Sequence, residues 1–185
     1  PMTFLMRRVL EEADDLEEAV RLIREAPRTV GVNYVVSDAN AKRAVVIETT
    51  RSHVAVFEAD DATEHRVAYA RPLTDAVFRA DTAVDAAIRD RQLASGGNPR
   101  APGLEPPTGS AYEVRYLGQS AGILAHYGRI DVETAKEIAK AVAPRSNVQS
   151  VIIAWPELWV ANAEGLTPAA HTTYHQLDLP TLFDT

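Results

Sequence analysis

Cysteine is absent from all 185 residues of this sequence. Its absence excludes disulfides, thiolate metal sites and a cysteine nucleophile within these residues. It leaves the compartment open, because a protein without disulfides suits the reducing cytoplasm and also occurs outside the cell. Of the two we favour the cytoplasm.

Clusters of basic residues and long apolar runs are also missing. The formal net charge is -7 and no run of Lys or Arg offsets it, so we expect no nucleic-acid partner. No apolar run is long enough to cross a bilayer, so we expect no membrane role either. The N-terminal sequence Pro1-Met2-Thr3 lacks a signal-peptide pattern. Because no initiating Met precedes Pro1, we expect the sequence to begin inside a longer product.

What is present is typical of one folded domain. Hydrophobic residues make up 46% and charged residues 24% of the chain, which argues against disorder. Apolar residues at helical spacing predict two consecutive helices over residues 3–26, and Asp15 with Glu18 forms a capping box for the second. Four short strands are then predicted at residues 32–36, 44–48, 53–58 and 67–70. Their short connections favour antiparallel pairing.

The second half predicts a helix, an irregular segment, two more helices, a hairpin and a tail. These lie, in order, at residues 84–94, 95–109, 110–127, 132–142, 148–161 and 170–185. Ser110 with Glu113 and Asp131 are the expected helix caps. We interpret the Gly- and Pro-rich segment 95–109 as a loop or a crossing between layers and not as a domain boundary. The order of elements predicts an α+β protein with two packed sheets.

Three stretches together resemble a known enzyme family. They are residues 1–19 with 33–38 and 44–48, then Ser110-Ala111-Tyr112-Glu113-Val114-Arg115-Tyr116, then residues 147–152 with 158–162. In order and spacing they are similar to the isopenicillin N acyltransferase-like family, the acyl-CoA:6-aminopenicillanic acid acyltransferases, which are cysteine N-terminal nucleophile (Ntn) hydrolases. The similarity extends over nearly the whole chain.

The resemblance implies a four-layer α-β-β-α sandwich with mostly antiparallel sheets. It also implies a precursor that cleaves itself before a cysteine, whose own α-amino group then acts as the base in attack on an amide. Water or another amine would take the acyl group from the acyl-enzyme. The implied substrate is a small amide or acyl compound, and no metal or organic cofactor is implied.

Two departures from the family pattern shape this expectation. Pro1 has no primary amine and no nucleophilic side chain, so we expect the nucleophile upstream. Residues 1–185 would then be the C-terminal portion of a single, incomplete Ntn domain, paired with an upstream polypeptide or with a copy of itself. Ala70 stands where family members often have an oxyanion-binding Asn, and Arg71 is the possible substitute. The alternative is a non-catalytic domain that binds a partner or a small amide.

Five residues are candidates for the site. Arg115 resembles a family Arg that lies near the nucleophile, and its structural alternative is a surface ion pair with Glu113 or Asp131. Asn33, Tyr34, Arg71 and Asn147 are the candidates for substrate binding. For Asn33 and Tyr34 the structural alternative is an amide in solvent and a ring in the core. His171 and His175 have a metal-ligand spacing only on a helix, which the flanking residues disfavour, so we predict no metal site.

Overall fold

The structure of the protein is a computed structural model that describes residues 2–94 and 111–183. These residues form two compact units, Pro1–Glu113 and Val114–Thr185. The predicted irregular segment 95–109 and the predicted cap Ser110 lie outside the described residues. In the part of the chain that the structure describes, no helix combines the length and the apolar character needed to cross a bilayer.

The first unit begins with the two predicted helices, α1 (Met2–Glu12) and α2 (Leu16–Glu25). Asp15 caps α2, because its carboxylate accepts the Glu18 N–H at 2.8 Å. The apolar face of α2 is buried as its 3.6-residue spacing predicts, through Leu16, Ala19, Leu22 and Ile23. This helix pair is therefore a confirmed prediction.

Three strands form an antiparallel sheet in the order β1-β2-β3, with bounds Asn33–Asp38, Arg43–Thr49 and Val54–Phe57. One face packs on the helices through Tyr34, Val45 and Ile47. Gly31 lets the chain before β1 pass close to the end of β2, because a Cβ at Gly31 would overlap the carbonyl oxygen of Thr49.

The opposite face of this sheet is covered by a segment without strands that connects β3 to α3, residues 58–85, which we call the covering segment. The predicted strand at 67–70 is wrong: residues Glu64–Arg66 form a 3-10 turn, and the Ala70 N–H bonds back to Val67 O at 3.0 Å. These local bonds use backbone groups that a ladder would need. The segment buries Leu73, Phe78 and Val84 and leads into α3 (Ala86–Ala94), which was predicted.

The second unit contains two longer helices and a second antiparallel sheet. The helices are α4 (Ala111–Ala125) and α5 (Val132–Val142), and Asp131 caps α5 by accepting the Thr134 N–H at 2.8 Å. The sheet has the order β4-β5-β6, with bounds Gln149–Ala154, Glu157–Asn162 and His175–Asp178, and α6 (Leu179–Phe183) follows. The β4–β5 hairpin confirms the prediction, while the tail contains a strand and a short helix.

The two faces of the second sheet differ. Lys136 of α5 places its ammonium 3.7 Å from the ring centroid of Trp159, so α5 lies on that face. On the other face Val151, Ile153 and Leu177 are 47%, 67% and 40% exposed. The α+β class with antiparallel sheets is thus confirmed, whereas the four-layer sandwich stays a prediction.

Candidate functional site

A buried carboxylate lies on the covered face of the first sheet. Glu48 is the sixth residue of β2, directly opposite Asn33 of β1, and it is fully buried. Its two carboxylate oxygens accept the backbone N–H groups of Val84 at 2.7 Å and Asp85 at 2.9 Å. Glu48 therefore holds the covering segment against the sheet just before α3 begins.

Arg79 joins Glu48 to a second acid. Its Nε lies 2.8 Å from Glu48 Oε1, as an ion pair whose N–H is not aligned as a hydrogen bond, and its Nη2 donates to Glu64 Oε1. The guanidinium also stacks over the Phe57 ring, 5.0 Å from its centroid. Glu48, Glu64 and Arg79 form what we call the buried cluster, in which one cation neutralises only one of two carboxylates.

Burial is the dominant influence on Glu48. It raises the pKa of that carboxyl to about 6, against the opposing effects of Arg79 and the two backbone N–H donors. Near neutral pH the group can therefore be found with or without its proton. A carboxyl with a pKa in this range is common in active sites, and it also occurs in structural ion-pair networks.

Polar groups that border the buried cluster are only partly satisfied. Asn33 Nδ2 donates to Ala80 O at 2.8 Å, while its Oδ1 is buried and has no hydrogen-bond partner among the described residues. The hydroxyl of Thr82 is also buried and has no hydrogen-bond partner among the described residues. Tyr69 donates its hydroxyl to Ala83 O, and burial raises its pKa. The Asn33 oxygen can accept a hydrogen bond from an N–H group.

The predicted site residues occupy different environments. Asn33 borders the buried cluster, whereas Tyr34 packs in the helix-side core, where burial raises its pKa. Arg71 donates to the carbonyls of Ala68 and Ala70 at 3.0 and 2.8 Å.

The other two predicted residues belong to the second unit. Arg115 is half-buried on α4. Asn147 donates to Gln149 O and accepts from Ala170 N, at 2.8 and 2.9 Å. It therefore holds the start of β4 to the turn at Ala169–His171. The roles of all five residues in catalysis or binding stay predictions.

Sequence reasoning missed the three members of the buried cluster. Only Glu48 had a local signal, because an acid follows four apolar residues in a strand and shares a face with Val46. Glu64 and Arg79 lie in polar, turn-rich stretches that resemble solvent-exposed loops. Their burial depends on how the covering segment folds back onto the sheet.

Metal ligands do not cluster in the part of the chain that the structure describes, where no group of three or more His, Cys, Asp or Glu could hold an ion. His171 ends a 3-10 turn and His175 begins β6, so the two do not share a helix. The spacing noted in the sequence therefore does not correspond to a helical ligand pair.

The comparison with known families matches the first part of the chain. Residues 1–68 match the family described as acyl-coenzyme A:6-aminopenicillanic acid acyl-transferase. The matched segment includes both opening helices, the whole first sheet, and Asn33, Glu48 and Glu64. No curated protein and no solved structure gives a significant match. The match supports the family resemblance for residues 1–68, and the similar stretches in the second unit lie outside it.

Proposed function

We propose that these residues are part of an acyltransferase or amide hydrolase of the acyl-coenzyme A:6-aminopenicillanic acid acyl-transferase type. The observation that carries the proposal is the family match over residues 1–68, which covers the sheet on which Asn33 and Glu48 lie opposite each other. The reaction class would be cleavage or transfer at a carbon–nitrogen bond through an acyl-enzyme.

In this proposal the buried cluster positions its neighbours and does not itself react. Glu48 accepts two backbone N–H groups at residues 84 and 85, and Arg79 joins it to Glu64. These contacts fix the segment at Ala80, to which the Asn33 amide is bonded. Asn33 is thereby fixed beside the buried cluster, where its Oδ1 would accept an N–H from a substrate amide. Because this oxygen is buried in the chain alone, the contact requires the complex with the polypeptide that supplies the nucleophile.

The nucleophile requires a further component, because the 185 residues contain no cysteine. We propose an autoprocessed Ntn arrangement in which a polypeptide outside this sequence supplies an N-terminal cysteine. Its α-amino group would take the thiol proton, the thiolate would attack the amide carbon, and the same proton would leave on the departing amine. Water or a second amine would then take the acyl group and release the thiol.

The aliphatic face of the second sheet is the proposed contact for that polypeptide. Val151, Ile153 and Leu177 are exposed there, and β4 contains no charged residue or Pro that would discourage pairing at its edge.

A measurement of the size of the complex under native conditions tests this proposed contact. We expect the Ile153→Lys variant to lose the complex with the cysteine-bearing polypeptide and Lys42→Ala, at an exposed turn, to keep it. A complex that survives in Ile153→Lys, or self-association through the same face, would contradict the proposal.

The activity itself is tested with acyl-amide substrates and three samples. We expect the 185-residue chain alone to be inactive, its complex with the cysteine-bearing polypeptide to turn over substrate, and the Asn33→Ala complex to lose about tenfold or more in kcat/KM. Thr29→Ala is the matched control, because it truncates an exposed polar residue. Turnover by the chain alone that disappears on mutation of one of its residues would refute the proposal.

A non-catalytic binding domain is the second candidate. The observation that favours it is that Asn147 and Arg71 use their polar groups on nearby backbone, as structural residues do. Such a domain would bind a small amide and leave it intact after prolonged incubation with the protein. Chromatography of the incubated sample distinguishes the two candidates. A free amine indicates the enzyme, and an unchanged amide indicates the binding domain.

A further inference from the structure

Three arginines converge on a single turn of the first unit. The turn connects β2 to β3, and its backbone carbonyl at Thr50 accepts the Arg28 Nε–H at 2.9 Å. Arg91, on α3, donates from Nη1 to the hydroxyls of Thr50 and Ser52, at 3.2 and 2.7 Å. Arg51 lies between those two residues in the turn itself. Arginines from three separate segments are therefore brought to the same turn.

None of these three guanidinium groups has a carboxylate partner among the described residues. That is unusual in a chain with a formal net charge of -7, where acidic partners are abundant. The other exposed arginines of α1 and α2 mostly follow the expected pattern, such as Arg7 with Glu11 and Arg21 with Glu25. The positive charge at the turn is thus left uncompensated.

The N–H groups of Arg28 and Arg51 that have no protein partner in the described chain indicate an anionic ligand. Arg28 uses Nε and Nη1 on carbonyls, including Ile23 O at 2.6 Å, and its Nη2 has no partner in the described chain. These carbonyl bonds fix the guanidinium plane at the end of α2. Arg51 makes no hydrogen bond or ion pair with any described residue. The Arg28 guanidinium is held in one plane and the Arg51 guanidinium is free of partners among the described residues. Together two such groups can bind a tetrahedral oxyanion at more than one oxygen.

Space for a ligand lies at the same place. An open cavity of about 540 Å³ is lined by Pro27, Arg28, Thr29 and Arg51. Three of these four residues, Arg28, Thr29 and Arg51, are polar or basic, and none is acidic. The cavity is large enough for a phosphate with an organic substituent.

We propose that Arg28, Arg51 and Arg91 form a binding site for the phosphate group of a small molecule. Arg28 and Arg51 bind the phosphate oxygens, and Arg91 holds the turn through Thr50 and Ser52 and adds positive charge. The overall negative charge of the chain makes an extended polyanion unsuitable, because a single small cationic patch would have to overcome repulsion along the rest of its length. This site is independent of the proposed acyl transfer and does not require the buried cluster.

The test is a titration of the full 185-residue chain with inorganic phosphate, phenyl phosphate and acetate at constant ionic strength, followed by calorimetry and amide chemical shifts. We expect saturable binding of the two phosphates, shifts at residues 28, 29 and 51, and much weaker binding of acetate. Equal affinity for both phosphates would show that the site recognises the phosphate group alone, so that inorganic phosphate is a sufficient ligand. Tighter binding of phenyl phosphate would identify a phosphate ester, and both results support the site.

Arg51→Gln is the decisive variant, because Arg51 makes no contact with the described residues that the fold needs. We expect it to weaken phosphate binding about tenfold, the effect of losing one charge-assisted contact. Arg66→Gln makes the same change of charge at another exposed arginine of the unit and should leave binding unchanged. Equal losses in the two variants, acetate binding as tight as phosphate, or no saturation by any probe would overturn the proposal.

Discussion

Two strands with similar sequences, β2 and β4, occupy opposite environments. Both have a run of aliphatic residues, Val45-Val46-Ile47 in β2 and Val151-Ile152-Ile153 in β4. In β2 the last five residues are all buried, whereas β4 alternates between exposed and half-buried positions. A strand covered on both faces can bury an ionisable residue such as Glu48, but that residue then needs partners. The face that is covered, and not the sequence of the strand, decides what each residue contributes.

The largest expected effect is at the centre of the doubly covered sheet. Arg79→Met should lower the free energy of unfolding by about 3–5 kcal/mol, because it leaves the Glu48 and Glu64 carboxylates buried without their cation. Hydrogen exchange of the β2 amides measures this loss in the first unit. Arg66→Met, at an exposed arginine, is the matched control and should change little. Equal protection of β2 in both variants would mean that the buried cluster does not stabilise the sheet.

Truncation of one isoleucine in each strand tests the comparison directly. Ile47 is fully buried and Ile153 is 67% exposed, so Ile47→Ala should cost about 3 kcal/mol and Ile153→Ala about 0.5 kcal/mol or less. Urea unfolding followed by circular dichroism gives the first value. Trp fluorescence gives the second, because both tryptophans, Trp155 and Trp159, lie in the second unit. Similar costs would show that β4 is covered on both faces in solution.

The pH dependence of stability should differ between the units. Burial raises the pKa of Glu48 to about 6 from an ordinary 4.5, so the folded state binds more protons than the unfolded state between these values. The free energy of unfolding of the first unit should therefore fall by about 2 kcal/mol in total as pH rises from well below 4.5 to well above 6, most steeply between these two values. Glu48→Gln should remove this slope.

The exposed cap Asp131 should act in the opposite direction. Its pKa is lowered, chiefly by the Thr134 N–H, so its contribution to the second unit is present above an ordinary pKa of 3.8 and is lost as pH falls. Unfolding followed by Trp fluorescence between pH 2 and 5 measures it, with Asp131→Asn as the control. If both units lost stability in the same direction with pH, the assignment of Glu48 as a buried carboxyl of raised pKa would be wrong.

The smallest effect concerns two glycines at close contacts. A Cβ at Gly31 meets the main chain at Thr49, whereas one at Gly122 meets Cγ1 of the Ile138 side chain at 2.9 Å. Gly31→Ala should lower the free energy of unfolding by about 1–2 kcal/mol, because backbone has to move. Gly122→Ala should cost less than Gly31→Ala, because a side chain moves more readily than backbone and alanine favours helix. Thermal unfolding of the two variants measures the difference.

Local sequence patterns predicted most of the regular structure. Asp15 before Glu18, and Asp131 before an amphipathic run, located the starts of α2 and α5, because a capping carboxylate bonds to N–H groups only two or three residues away. The hairpin predicted over residues 148–161 is likewise present as β4–β5. The strand predicted at residues 67–70 failed because a 3-10 turn satisfied those backbone groups locally. The strand β6 was predicted only as part of an extended or loosely helical tail.

The sequence by itself determined most of the elements, the α+β class, the absence of a cysteine nucleophile from these 185 residues, and the family resemblance that the match over residues 1–68 supports. Only the tertiary structure decided which polar residues are buried together. Glu48, Glu64 and Arg79 are separated by 15 residues or more, and the same is true of Arg28, Arg51 and Arg91. Periodicity describes which face of its own element a residue is on. It does not describe which other segment covers that face, and that covering sets the burial, the charge partners and the pKa.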